Sequence, residues 1–343
     1  MSKISLAVKY RPKSFEDLTE QTSIRLILEQ QLESGTFKNC YLFTGRAGSG
    51  KTTSARIFAN MINKGEGNPI EMDAASNNGV DDVRAIIQQA KSKSLDSEYK
   101  IFIVDECHMI STAGWNAFLK VIEEPPAKSI FIFCTTDPQK IPTTILSRVQ
   151  RYDFQNISRQ GLFERLCYII DEENIEGAGI TYTDEALEYI CKLANGGMRD
   201  AITQLDKCIS YSNNITLDSV IECLGAVNYD TQFELMYCTL DNDPKGIVEC
   251  IEKVFADGKD LKLFMKSYLT FILDINKYAV CQNFSYIDIP PTDEYKKLLD
   301  EMDGADYDKC IAILDTVVNI NTAIAYESYP KPLIEALLLK GVL

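Results

Sequence analysis

Glycines at 45, 48 and 50, followed by a lysine at 51 and threonines at 52 and 53, form an arrangement for holding phosphate. In the run Gly45-Arg46-Ala47-Gly48-Ser49-Gly50-Lys51-Thr52, glycines let backbone N–H groups turn inward around anionic oxygens. The helix that follows adds unpaired N–H groups and the positive end of its dipole. Lys51 is then in position to reach the β- and γ-phosphates of a nucleotide, and Thr52 to hold Mg²⁺. Further along, Ile101-Phe102-Ile103-Val104-Asp105-Glu106 is an apolar strand ending in two carboxylates. Alone, such an ending is equally a strand-to-turn signal; after a phosphate loop it has the form of a Walker B element. Asp105 would bind Mg²⁺ directly or through water, and Glu106 would polarise the water that attacks the γ-phosphate.

Three more polar residues fall on turns or helix starts. Thr136, in Cys134-Thr135-Thr136-Asp137-Pro138, is placed to orient the attacking water. Arg148, in Ile145-Leu146-Ser147-Arg148, is a candidate arginine finger for the γ-phosphate of a neighbouring subunit. Arg199, in Gly196-Gly197-Met198-Arg199-Asp200, opens a helix from which it could reach the nucleotide. Each arginine alone is as well explained by a solvated ion pair; their order after both Walker elements gives them weight. The string Asp-Glu-Cys-His at 105–108 suggests a helicase box, but no paired arginine motif of a second helicase core follows. His108 is therefore expected to pack or hydrogen-bond below the site, and Trp115, the single tryptophan, to make a helix contact.

The elements that must position these residues alternate. Short apolar runs at 41–44, 70–73, 100–104 and 129–135 read as strands, with helical patterns at 51–63, 80–91 and 112–123 between them. Pro125-Pro126 stops the last helix. This is an α/β pattern with a largely parallel sheet, and it puts Asp105 and Thr136 at carboxyl ends of strands, on the edge where such sheets bind ligands. After about residue 157 the β signals fade and helical periodicity dominates, at 162–173, 184–194, 200–210 and 217–224. A further helical region begins near 226, divided by Pro290-Pro291.

With 343 residues, 45% of them hydrophobic, the chain can bury a full core in two or three domains. A net charge of −15 confines any contact with nucleic acid to a local patch. Eleven cysteines without a C-x-x-C pair, and one histidine, offer neither a zinc cluster nor a disulfide framework. Such scattered thiols suit a reducing compartment, and without a signal-peptide core or a membrane-spanning run a cytoplasmic address is expected.

These residues together resemble the AAA+ clamp-loader ATPases, most closely the gamma/tau branch of bacterial DNA polymerase III. The resemblance is carried by Leu6-Ala7-Val8-Lys9-Tyr10-Arg11-Pro12-Lys13-Ser14-Phe15-Glu16-Asp17-Leu18, the phosphate loop, the run from Asp73 through Asn77-Asn78-Gly79 to Arg84, and Asp105-Glu106. It continues through Asn116-Ala117-Phe118-Leu119-Lys120, Glu123-Glu124-Pro125-Pro126, Thr135-Thr136-Asp137-Pro138-Gln139-Lys140, Ser147-Arg148 and Met198-Arg199-Asp200-Ala201. The last 120 or so residues match only in length and helical character. The resemblance implies an AAA+ RecA-like parallel-sheet domain over 1–157, a helical lid over 158–224 and an all-α collar over 225–343. It implies ATP and Mg²⁺, with Val8, Tyr10, Arg11 and Pro12 bordering the adenine and Gly45, Gly48, Ser49, Gly50, Lys51, Thr52 and Thr53 around the phosphates. Thr136 and Arg199 would be sensors and Arg148 a finger acting in trans. Arg84 would touch DNA phosphate, an exposed helix arginine being the plain alternative.

The implied activity is ATP-driven opening of a sliding clamp by a five-subunit ring, with primer-template DNA triggering hydrolysis and release, and no membrane partner. Two departures stand out. Asn63-Lys64-Gly65-Glu66-Gly67-Asn68-Pro69 replaces the family's four-cysteine module, so no zinc is expected, and Val149 follows Arg148 where cysteine is usual. The chain also lacks the long tail of tau forms, as fits a compact phage or divergent bacterial version. Alternatives are a clamp-loader stator that does not turn over ATP, or another AAA+ machine such as a branch-migration motor or replication initiator; the Glu-Glu-Pro-Pro segment favours the clamp-loader branch.

Overall fold

The computed structural model describes residues 4–94, 96–224, 229–287, 293–302 and 304–342. The chain divides into two compact units, one of Met1–Ala178 with Leu193–Asp206 and the other of Gly179–Lys192 with Lys207–Leu343. The first unit opens with α1 (Leu6–Lys9) and α2 (Thr22–Ser34) and is built on β1 (Cys40–Thr44), β2 (Ile70–Asp73), β3 (Lys100–Asp105), β4 (Ser129–Thr135) and β5 (Gln150–Asp153). These pair in the order β2-β3-β4-β1-β5, every pair parallel. The crossovers carry α3 (Lys51–Ile62), α4 (Val80–Ala90), α5 (Thr112–Glu123) and α6 (Thr143–Leu146), and α7 (Arg159–Ile175) follows.

Both faces of the sheet are apolar, as a parallel sheet covered on two sides requires. Leu42, Phe102, Val104, Phe131 and Phe133 point to the face that α4 and α5 cover with Val83, Ile86, Trp115 and Phe118. Tyr41, Phe43, Ile101, Ile103, Ile130 and Ile132 point the other way, toward Ile24 and Leu28 of α2 and Phe58 of α3. Stacking of Phe102 on Phe131 at 4.9 Å and the edge contact of Phe118 with Phe133 at 5.3 Å lock the first face. The Ser111 hydroxyl accepts from Gly114 N–H to start α5, which ends at Glu123, ahead of the two prolines.

Four strands lie where alternation of apolar runs predicts them; β5 does not announce itself. Gln150-Arg151-Tyr152-Asp153 buries Tyr152 fully among its four residues, and as an edge strand beside β1 it needs no more. The shortened connection after α3 is closed by Asn63, whose side chain accepts from Tyr99 N–H and donates to Tyr99 C=O, both at 2.9 Å.

The second unit holds the two-residue parallel pair β6 (Thr181–Tyr182) and β7 (Asn214–Ile215). Helix α8 (Asp184–Ala194) lies mostly in it; α9 (Met198–Tyr211) begins in the first unit and ends in the second, and α10 (Leu217–Leu224) follows. The remaining helices are α11 (Tyr229–Leu240), α12 (Pro244–Ala256), α13 (Leu261–Cys281), α14 (Asp293–Glu301), α15 (Gly304–Ile324) and α16 (Lys331–Val342). Asp243 and Asp260 cap α12 and α13 through their carboxylates. Phe264, Tyr268, Phe271 and Ile275 of α13 pack with Val317 and Ile320 of α15 in one core, and Asn321 donates to Met265 C=O at 3.0 Å. Among the described residues no helix is long and apolar enough to cross a membrane.

Truncating Phe118 to Ala removes the ring wedged between α5 and β4 and should destabilise the first unit by about 3–5 kcal/mol in urea unfolding. A loss below about 1 kcal/mol would contradict this packing.

Candidate functional site

The turn after β1 is a backbone problem that glycine solves. Gly45, Gly48 and Gly50 have φ of 147°, 75° and 101°, where a side chain is strained. Space is short as well, since a Cβ on Gly45 would lie 2.5 Å from Phe154 C=O and one on Gly48 3.2 Å from Gly197 Cα. Gly50 caps α3, so Lys51 is its first residue. The Lys51 side chain folds back, with Nζ 2.8 Å from both Gly45 C=O and Arg46 C=O, and burial lowers its pKa below the usual lysine value. The buried Ser49 Oγ has no hydrogen-bond partner. A buried ammonium resting on carbonyls and a hydroxyl with nothing to bond, on a loop of this form, fit a polyphosphate.

Facing the loop, the parallel register sets the ends of β3 and β4 side by side. Thr52 Oγ1 donates to Asp105 Oδ2 at 2.8 Å, and Asp105 Oδ1 accepts from Glu106 N–H at 3.0 Å. Hard oxygen groups held together at this point suit Mg²⁺. Glu106 takes a left-handed conformation, φ 45° and ψ 41°, that swings it off the strand. Its Oε2 accepts from Thr136 Oγ1 at 3.1 Å and lies 3.3 Å from His108 Nδ1, which is itself 3.1 Å from Thr135 Oγ1. His108 is thus a hydrogen-bonding residue, as expected, and its ring also lies against the Glu106 carboxylate.

A cavity beside the loop is lined by Gly48, Ser49, Gly50, Lys51, Thr52 and Thr53, by Tyr10, Arg11 and Pro12, and by Met198, Arg199 and Ile202. Arg199 arrives because α9 starts against the loop: Met198 N–H donates to Gly48 C=O at 3.1 Å, and a Cβ on Gly197 would meet Ala47 C=O at 3.3 Å. Burial, then the proximity of the Arg56 and Arg199 guanidiniums, lowers the pKa of Arg11. Gathered cations of this kind favour an anion among them. Val8 is 60% exposed and outside the lining; Ala7 takes its place there, beside Tyr10, Arg11 and Pro12. Gly45 acts through Lys51 rather than by lining the cavity.

Two expected site residues lie elsewhere. Arg148 precedes β5, whose first residue Gln150 pairs with Tyr41, so it sits at the amino edge of the sheet while the loop follows Thr44 at the carboxyl edge. The length of β1, roughly 17 Å, separates the two edges. Its guanidinium bonds Glu123 Oε1 at 2.8 Å, Thr144 C=O at 2.7 Å and Ser147 Oγ at 3.1 Å. Arg84 stands on α4, its side chain 68% exposed and paired with Asp81 at 3.0 Å. Sequence reasoning missed Arg165 of α7, which lines the cavity and donates through Nη2 to Tyr10 C=O at 3.1 Å. Nothing distinguishes it along the chain from any other basic residue on an amphipathic helix.

Comparison with known proteins shows what the chain is similar to in sequence and fold. The family model described as DNA polymerase III, delta subunit matches residues 63–158, and the one described as DNA polymerase III clamp loader subunit, ATPase lid domain matches 162–214. The DNA polymerase III subunit tau of Bacillus subtilis is 36% identical over 300 residues, covering 81% of this chain and 52% of that one. The gamma/tau subunit of Mycoplasma genitalium is 30% identical over 303 residues, covering 82% and 50%. The chain thus spans about half the length of the curated relatives it matches. A solved structure of the Thermotoga maritima RuvB Holliday junction branch migration motor, 19% identical, superposes with a TM-score of 0.52 over 67% of this chain and 79% of that one, a likeness of fold. The chain is thus similar to the bacterial DNA polymerase III gamma/tau subunits over about four-fifths of its own length, and the clamp-loader lid model matches where a lid is expected.

Proposed function

We propose that this chain is an ATP-hydrolysing motor subunit of a DNA sliding-clamp loader, which opens the clamp and loads it onto primer-template DNA. One observation carries the reading: Lys51, Thr52, Asp105, Glu106 and Thr136 converge at the carboxyl edge of the sheet, while Arg148 sits at the amino edge. A chain built this way holds a nucleotide with one edge and offers a guanidinium to its neighbour with the other. In that role Lys51 exchanges its two carbonyls for the β- and γ-phosphates, and Tyr10, Arg11 and Pro12 flank the base. When bound, Mg²⁺ neutralises charge between phosphate oxygens, and Thr52 and Asp105 are the residues to hold it. Glu106 accepts the proton of the attacking water, Thr136 orients that carboxylate, and Arg199 senses the phosphates from α9.

The ring of five subunits, the clamp and the primed DNA belong to this proposal, as do a cytoplasmic address and the division into an ATPase domain (1–157), lid (158–224) and collar (225–343). The lid match at 162–214 supports the middle boundary; residues 225–228 lie outside the described ones. We assign Arg84 to DNA phosphate on its exposure alone, and we expect no zinc where Asn63–Pro69 makes the connection. The match of residues 63–158 to the delta-subunit model favours a second reading, a stator without turnover. Lys51, Thr52, Asp105 and Glu106 together weigh against it, because a stator has no use for a general base beside its phosphate loop.

Lys51→Ala should abolish ATP binding by equilibrium dialysis, and Glu106→Gln should keep binding while lowering DNA-stimulated hydrolysis by about 10²–10⁴-fold; a stator would lose nothing with Glu106→Gln. Arg148→Ala should spare binding and cripple hydrolysis in the assembled ring only. Mixing Arg148→Ala with Glu106→Gln subunits should restore part of the activity by forming some intact interfaces, and no restoration would mean that Arg148 does not act in trans. Finally, a ring-shaped clamp should be pulled down with ATP and released on addition of primed DNA. Capture indifferent to both would count against loading.

A further inference from the structure

The stretch that flanks the cavity, Tyr10 to Pro12, cannot hold its own shape. α1 before it has four residues, far below the length at which a helix stands alone. Downstream, Phe15 joins the core under the sheet, but the residues before it are tied to helices outside the sheet. Leu6 N–H donates to Asp206 Oδ2 of α9 at 3.0 Å. Lys9 Nζ lies 2.7 Å from Glu173 Oε1 and 2.5 Å from Glu176 Oε2, and Tyr10 donates from its hydroxyl to the same Glu173 Oε1 at 2.8 Å. Arg165, about two turns earlier on α7, completes the set through Tyr10 C=O.

Glu173 is the centre of this clasp. It is a carboxylate with 5% exposure on a helix, and burying a charge is costly unless it is paired and hydrogen-bonded. The bonds to Glu173, then Glu176, raise the pKa of Lys9, and burial together with the bond to Glu173 pushes the Tyr10 phenol up to about 12. The partners lie more than 160 residues away in sequence, on the segment that borders the base.

We propose that Glu173 is a positioning residue for base recognition: its clasp on Lys9 and Tyr10 sets the wall against which the purine is selected, so that affinity for the base, and not for the phosphates, runs through α7. This deepens the nucleotide reading above and rests on it. The phosphate cradle is built from residues 45–53 and 105–106 and is held by hydrogen bonds of its own, from Lys51 to the loop carbonyls and from Thr52 to Asp105. The two halves of the site are therefore held by separate means and should respond separately to substitution.

The experiment is equilibrium binding of ATP, GTP and base-free tripolyphosphate to the full chain and its variants. Glu173→Ala should weaken ATP about tenfold and flatten the preference for ATP over GTP, with tripolyphosphate affinity held within about twofold. Glu173→Gln, which keeps an oxygen for the Tyr10 hydroxyl, should recover most of the loss. Equal losses for ATP and tripolyphosphate, or no loss for ATP, would overturn the clasp. If Glu173→Ala does not fold, Lys9→Met and Tyr10→Phe carry the question, the first removing the bonds to Glu173 and Glu176 and the second the hydroxyl bond to Glu173; an unchanged ATP preference in both overturns it as well. Wild-type chain that binds none of the three ligands would instead remove the nucleotide reading itself, and the clasp with it.

Discussion

The site depends on the level at which three parallel strands end. Thr44 pairs with Thr135 across β1 and β4, and Val104 with Phe133 across β3 and β4, so the phosphate loop, Asp105-Glu106 and Thr136 emerge on one edge within hydrogen-bonding distance. A slip of one residue in any pair would turn every side chain of that strand to the other face, burying the carboxylates' neighbours wrongly and parting Thr52 from Asp105. What forbids the slip is the two-faced core. Phe102, Phe131 and Phe133 fill one side and Ile101, Ile130 and Ile132 the other, and neither set fits the opposite helices. Packing at the centre of the sheet thus becomes precision at its edge.

Much of this was legible along the chain because the chemistry is local there. Eight consecutive residues make the loop, six make the strand with its two carboxylates, and each carries its own backbone reason, glycine at positive φ or apolar residues before a turn. Illegible features share one property: each is defined by a partner remote in sequence. β5 is a strand only because β1 lies beside it, and α2 buries just Ile24 and Leu28 with no side-chain cap at its start. His108 has meaning through Glu106 and Thr135 together, Arg165 through the carbonyl of Tyr10, and Glu173 through Lys9. Such pairings leave no periodicity or spacing to find.

The two halves of the cavity are secured differently, and in the proposed function the difference follows from what each would grip. Phosphate is recognised by charge and by N–H groups, which a rigid loop pinned to a sheet edge presents without adjustment. A base is recognised by shape and a few hydrogen bonds, and the segment proposed as its wall is otherwise weak and tied down at Glu173, Glu176 and Asp206. The Lys9–Glu176 pair, with side chains 33% and 63% exposed, is the joint nearest water and hence the easiest to loosen.

Arg148 poses the remaining physical question, because in the single chain it already has a carboxylate. Its partner Glu123 is 49% exposed and its own side chain 39%, so the pair is of the surface kind, worth about 0–1 kcal/mol. In the proposed trans role that carboxylate would be traded for a triphosphate across an assembled interface, where water is excluded and the anion carries several charges, an exchange that a surface pair opposes only weakly. The bonds to Thr144 C=O and Ser147 Oγ keep the guanidinium near the surface meanwhile, which limits the entropy lost when it engages. A deeply buried partner would have locked the finger away from its neighbour, and no partner at all would have left it disordered. In the proposed role, an exposed glutamate on α5 would hold the finger ready and let it go.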